Sequence, residues 1–283
     1  MNQFSASEAA LEGFRLIRSR PGTMLAWAGV YFLGILVIGG LMGVALGPRF
    51  AEAMRLVDAS EKVDAVASIL TESWPAFLLV LLVVATLMSV LIAGIYRLVM
   101  RPEEPGLAHL RVGSDEFRLT AVNLLLFSIG FVCLFAAIVA LTLVRETGSL
   151  FSILLLVVVL ALTAWLGARL SMVTPMTFAS RRVAFGEAWA MTRGRMWPLL
   201  GMMLLAAIFY VMIWLVISLA GAAVVWMAGG REALEGQLSV ITVVAGVATV
   251  VMQFLLYVLQ IVMIYAPFAV AYQQITGQPV THR

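Results

Sequence analysis

Six stretches of the chain are apolar for 18 residues or more and carry no Asp or Glu. A run of that kind is about the length a helix needs to cross the hydrocarbon core of a bilayer. In lipid every backbone N–H and C=O must be bonded within the protein, which leaves only helices or a closed barrel. The runs here are continuous rather than alternating, so helices are expected. Hydrophobic residues make up 63% of the chain and charged ones 12%, which leaves too little polar surface for a water-soluble fold.

The expected architecture is an all-α, polytopic helical bundle forming a single transmembrane domain over residues 1–283. Its spans are expected at about 23–46, 76–100, 119–144, 150–175, 198–228 and 239–267. Interfacial helices are expected at about 5–20, 49–72 and 184–195. The first opens on Ser5 and Glu8, a capping-box pattern. Ala6, Ala10, Phe14 and Ile17 then share one helical face, with Glu8, Glu12, Arg15 and Ser19 opposite. Arg18, Arg20 and Pro21 lead into span one. The stretch 183–201 repeats this plan, and a shorter echo starts at Glu116, so the chain reads as a pseudo-repeat of three hairpins, each with a basic lead-in. No cleavable signal peptide is expected, because the first apolar run is too long and follows a charged helix.

Arginine and lysine set the orientation. Arg15, Arg18, Arg20, Arg97, Arg101, Arg111, Arg118, Arg181, Arg182, Arg193, Arg195 and Arg283 fall on one side of the expected bundle. Arg49, Arg55, Lys62, Arg145 and Arg231 fall on the other. That asymmetry predicts cytoplasmic termini for a multi-pass protein of a cytoplasmic membrane. The net charge of +3 is spread over loops, which argues against a nucleic-acid partner.

Chemistry-bearing patterns are sparse. His109 and His282 are far apart in loops, and no metal site, cofactor motif or catalytic constellation is visible. Glu103 and Glu104 read as a solvated loop rather than an acid pair. The absence of carboxylates from the spans counts against an ion-coupled carrier. Cys133, the single cysteine, lies inside an apolar run.

Three sets of residues remain as candidates. Gln253, Tyr257 and Gln260 share a face of span six, and Asn123 and Ser128 of span three could oppose them, either as interhelical hydrogen bonds or as the lining of a polar cavity. Arg15, Arg18, Arg20, Arg169, Arg181, Arg182, Arg193 and Arg195 are candidate contacts for anionic lipid. Within this set Arg169 lies roughly 28 Å along its helix from Leu150, at the interface, where snorkelling competes with an anion site. Gly39, Gly43 and Gly47 allow close helix approach, within one chain or between two copies.

The residues Glu187-Ala188-Trp189, Thr192-Arg193-Gly194-Arg195, Trp197 and Leu199-Leu200-Gly201 carry a family resemblance. They resemble the A-W-x-x-T-R-G-x-x-W-x-L-L-G stretch of bacterial six-span inner-membrane proteins, which are similar to the membrane domain fused to some glycerophosphodiester phosphodiesterases. The resemblance covers about 25 residues and names no catalytic residue. It implies a bacterial inner membrane, and no hydrolase activity, since nothing here corresponds to the soluble phosphodiesterase domain. The function expected from all of this is a non-enzymatic membrane protein that binds lipid or organises a membrane partner, including a second copy of itself. The alternative is a passive or lipid-type transporter with a polar path between spans three and six. An enzyme acting on lipid, with polar groups converging around Arg169, Arg181 and Arg182, is the third reading.

Overall fold

A computed structural model describes residues 4–47, 73–104, 108–229 and 240–277. The helix expected at 49–72 lies outside the described residues, as do Arg49, Arg55, Lys62, Arg231, His282 and Arg283. The elements are α1 (Ala6–Ser19), α2 (Pro21–Leu46), α3 (Trp74–Met100), α4 (Ser114–Thr147), α5 (Leu150–Leu170), α6 (Val173–Ser180), α7 (Phe185–Met191), α8 (Met196–Met227) and α9 (Val240–Thr276). Six candidate spans are long and apolar enough to cross a membrane, and the protein is an all-α, multi-pass membrane protein. Spans one, two, three, five and six are α2, α3, α4, α8 and α9, and span four is α5 continued by α6.

Local chemistry sets the boundaries. Pro21 and Pro75 occupy first-turn positions of α2 and α3, where a missing N–H costs nothing. Gly148, in the left-handed region at φ +57°, ends α4, and the Ser149 hydroxyl accepts from the Ser152 N–H to start α5. Span four is expected to run unbroken to 175 but is interrupted at Ser171 and Met172. Pro175 lacks the N–H that would bond the Ser171 carbonyl, so the ladder stops there and α6 begins afresh. The third lead-in, from Glu116, is no separate surface helix; it is the opening of the unbroken α4.

Chain neighbours α2 and α3, α4 and α5, and α8 and α9 pack as antiparallel hairpins, with α3 and α9 at the centre. From Leu91 to Val99, and again from Ala266 to Gln274, every residue is buried, so these two segments are enclosed on all sides. The other spans are buried at fewer points. In α2 nothing past Tyr31 is buried, and in α8 only Leu199, Met202 and Ala206 are. Each of these lies toward the arginine-rich end, where α1, the 101–113 loop and α7 gather. In the opposite half most described apolar side chains face outward, as expected against lipid, although Ala140, Ser152 and Ala245 are buried there.

The N-terminal helix is docked rather than merely adsorbed. It packs against α9 and α8 through Ala9, Ala10, Glu12, Gly13 and Leu16. A Cβ on Gly13 would stand 3.0 Å from the Met263 Cα, so only glycine lets the two helices approach this far. The Ser5 hydroxyl caps the Glu8 N–H, but the reciprocal half of the box is taken by Gln274. Its Oε1 accepts from the Ser5 N–H at 3.1 Å and its Nε2 donates to Glu8 Oε2 at 3.1 Å. The start of α1 and the end of α9 therefore lie at the same end of the bundle. The apolar face expected on α1 is rotated: Phe14 is exposed, together with Leu11, and small residues fill the contact instead.

Gly39, Gly43 and Gly47 make no helix contact among the described residues. An added Cβ at any of them would meet nothing within 4 Å, and Gly39 and Gly43 face outward. Close approach occurs instead at Gly13, and at Gly94, where a Cβ would stand 2.8 Å from Leu110.

Candidate functional site

The arginine-rich end is tied together by a buried charge cluster. Arg97, one turn from the end of α3, is 1% exposed, and Glu116, in the first turn of α4, is 2% exposed. Arg97 Nη2 donates to Glu116 Oε1 and Nη1 donates to the His109 carbonyl. Its Nε lies 3.4 Å from Glu104, which also bridges to Arg101 at 3.5 Å and Arg181 at 4.0 Å. Arg101 donates to the Phe178 carbonyl at 3.2 Å and stacks over the Phe178 ring, joining α3 to α6. Asp115 bonds Arg118 and lies 3.6 Å from Arg101. Glu104 thus bridges three arginines rather than standing as the solvated loop residue expected.

The described residues of the loop, 101–104 and 108–113, lie over this cluster. Trp27, wholly buried in α2, donates its indole N–H to the Ala108 carbonyl at 2.8 Å. Ala108 and His109 both adopt positive φ, 52° and 59°, a strain the surrounding bonds must hold. The His109 ring has its Nδ1 enclosed without a partner among the described residues. Burial, and then the charges of Arg20 and Arg97, push the His109 pKa below its ordinary value. The unfolded chain therefore binds more protons than the folded one between the lowered pKa and about 6.5. Stability is full above that window and falls as the pH drops through it. We expect the thermal-melt midpoint to drop on going from about pH 7.5 to about pH 5.5, and His109→Gln to flatten that part of the slope. An unchanged slope in the variant would assign it to other groups.

Arg169 forms a second constellation, between span four and α7. Its Nη1 donates to the Trp189 carbonyl at 3.2 Å and to the Thr192 hydroxyl at 3.4 Å. Its guanidinium lies 4.9 Å from the Trp189 ring centroid and 5.7 Å from that of Trp165, and the two rings meet edge to face. Thr192, wholly buried, bonds back to the carbonyls of Arg169 and Trp189. Gly194 then turns the chain at φ +78° into α8. The A-W-x-x-T-R-G pattern is in this chain the clamp that fastens α7 to the end of span four. Arg169 is therefore held in place rather than snorkelling freely.

A cleft of about 500 Å³ opens between spans three and four on one side and spans five and six on the other. Leu126, Gly130 and Cys133 line it from α4, Leu160 and Gly167 from α5, Met203 from α8, and Tyr265 and Phe268 from α9. Gly130 and Gly167 make the room: an added Cβ at either would meet nothing within 4 Å. The wall is apolar because its hydroxyls are turned inward. Thr163 and Ser171 donate to carbonyls of their own helix, and Thr174 is bonded to Tyr96 at 2.6 Å. The Tyr265 hydroxyl makes no hydrogen bond among the described residues. A second apolar cleft, of about 640 Å³, lies between α2 and α9, beside Gly29 and Gly246.

The expected polar face across spans three and six is not assembled. The Asn123 amide donates to Ser89 of span two at 2.8 Å, and Ser128 bonds back to the Leu124 carbonyl. Gln260 accepts from Tyr210 of span five, Tyr257 stacks near Tyr31 of span one, and Gln253 is exposed. These side chains turn to different neighbours and none lines the cleft. Among the candidate lipid contacts, Arg15 is bonded to Glu12, Arg181 lies by Glu104 and Arg182 by Glu187. No protein-family model, curated protein or solved structure matches this chain.

Proposed function

We propose that this is a non-enzymatic lipid-binding protein of a bacterial inner membrane, with both termini cytoplasmic, that holds an acyl chain in the cleft between spans three to six. The observation that carries this reading is the cleft itself. Its volume lies within the range of ligand sites, about 300–1,000 Å³. From Leu126 to Ala137 it follows α4 for roughly 16 Å, about half of a hydrocarbon core of about 30 Å. That is about the depth of one leaflet; on α4 the lining is central, while on spans four, five and six it lies toward the arginine-rich end, with Ser171 and Thr174 at its border. An apolar hollow at that depth suits one chain of a lipid from the adjacent leaflet. The orientation rests on the arginine asymmetry, and the same arginines favour anionic lipid as neighbours. A polar transport path gains no support, because its residues turn to different helices.

Filling the cleft tests the reading. Gly130→Leu with Gly167→Leu places side chains where nothing stands within 4 Å, and exchanging helix-interior glycines favours the helix by several tenths of a kcal/mol each. The double variant should fold, yet lose the tightly held lipid that survives delipidation of the wild type. Cys133 serves as a built-in reporter, since it lines the cleft. Its alkylation by a lipophilic maleimide should be slow in lipid-loaded protein and fast after delipidation. A folded double variant with its full lipid complement would overturn the proposal.

A further inference from the structure

The arginines at this end divide by partner. Carboxylates neutralise Arg97, Arg101, Arg118, Arg181 and Arg182. Arg169, Arg193 and Arg195, like Arg18, Arg20 and Arg111, have no carboxylate partner among the described residues. Thr192 brings the first three into one neighbourhood, because it touches Arg169 and directly precedes the Arg193-Gly194-Arg195 turn.

Arg169 is shaped for an anion. It is partly buried, two indole faces flank it, and Nη1 alone is occupied. Nε and Nη2 make no hydrogen bond among the described residues. Those two N–H groups form the planar fork that matches a phosphate or carboxylate bidentately. A guanidinium held partly out of water without a counter-charge is expensive, and a bound anion removes that cost. Around it the surface carries positive charge and aromatic rings, with Arg193 and Arg195 exposed and Trp197 78% exposed. Exposed tryptophan beside arginine marks headgroup depth in a membrane protein.

We propose that Arg169, Arg193 and Arg195 form a phosphate site that takes the headgroup of an anionic lipid. The site is independent of the cleft. Arg169 is two residues from Gly167 and so lies on nearly the opposite face of span four. The clamp orients the fork through the Trp189 carbonyl and Thr192, and the two exposed arginines supply the remaining charge.

The test uses the full chain in detergent, with lipid binding followed by native mass spectrometry for phosphatidylglycerol and phosphatidylcholine. The wild type should retain the anionic lipid preferentially. Arg193→Gln with Arg195→Gln should weaken that retention by about thirtyfold, since each basic side chain at such a surface is worth about fivefold. Arg169→Lys keeps the charge but removes the fork, and should reduce the preference further without moving Cys133 alkylation, which reads the cleft alone. Because Arg169 also holds α7, the Arg193/Arg195 variant decides the matter if Arg169→Lys fails to fold. Equal retention of both lipids, or undiminished phosphatidylglycerol on that double variant, overturns the site. Excess inorganic phosphate should compete only partly. Full displacement, with inorganic phosphate retained when no lipid is present, would assign the site to soluble phosphate and overturn the lipid.

Discussion

Glu116→Ala should destabilise the protein by about 3–5 kcal/mol, the cost of leaving one member of a buried ion pair without the other. Arg97 would remain 1% exposed, bonded to the His109 carbonyl and 3.4 Å from Glu104, which is itself shared with Arg101 and Arg181. Neither partner can replace a carboxylate that is 2% exposed and directly bonded. The effect should reach beyond the pair, because Glu116 joins the first turn of α4 to α3 beside the buried Leu119, Thr120 and Asn123. The double variant Arg97→Leu/Glu116→Leu is expected to be more stable than Glu116→Ala, because apolar side chains of similar bulk remove both desolvation costs at once. It should still fall short of the wild type, since the His109 carbonyl loses its donor. Recovery of monodisperse protein after heating in detergent reads the order. If Glu116→Ala melts with the wild type, or the double variant melts below it, the pair is not what holds this end.

Sequence reading located the spans because lipid allows little else: a long apolar run has to be a helix, and a charge asymmetry has to point somewhere. It set the edges of α4 too far in, at 119 and 144 instead of 114 and 147, because the helical ladder continues past the hydrocarbon into polar residues. The same cut placed Glu116 outside the span and hid its partnership with Arg97. The signal was available. A lone arginine one turn inside an apolar run needs a counter-charge, and Glu116 opens the next span on the same side.

The packing faces misled for a different reason. The expected apolar face put Phe14 in the contact, but a membrane protein can show bulky side chains to lipid and reserve contacts for small ones. Thus Ala9 and Gly13 are buried while Phe14 is not. Small residues at four-residue spacing then suggested contact at Gly39, Gly43 and Gly47, where the described residues make none. The cleft was beyond reach for a related reason. A hollow beside Gly130 and Gly167 arises from how hairpins splay, and only the three-dimensional arrangement reveals whether a glycine's missing side chain admits a helix or leaves a space.

Trp27→Ala should cost about 3–5 kcal/mol, as removal of a fully buried aromatic does elsewhere, and its effect should appear in the loop as much as in the core. Trp27 is the largest wholly buried side chain, and it meets both the backbone of α3 near Gly94 and the carbonyl of Ala108. Two contributions can be separated. Trp27→Phe keeps most of the apolar contact but leaves the Ala108 carbonyl without its donor, so it should cost only about 1–3 kcal/mol. Trp27→Ala loses both and opens a cavity. Because Ala108 and His109 sit at positive φ, the loop stays in place only while those bonds oppose the strain. Either exchange should therefore speed tryptic cleavage at Arg111, which is exposed in the loop. The ordering expected is wild type slowest, then Trp27→Phe, then Trp27→Ala. Equal cleavage in Trp27→Phe and the wild type would mean that the indole N–H does not hold the loop, and that Arg97, bonded to the His109 carbonyl, holds it alone.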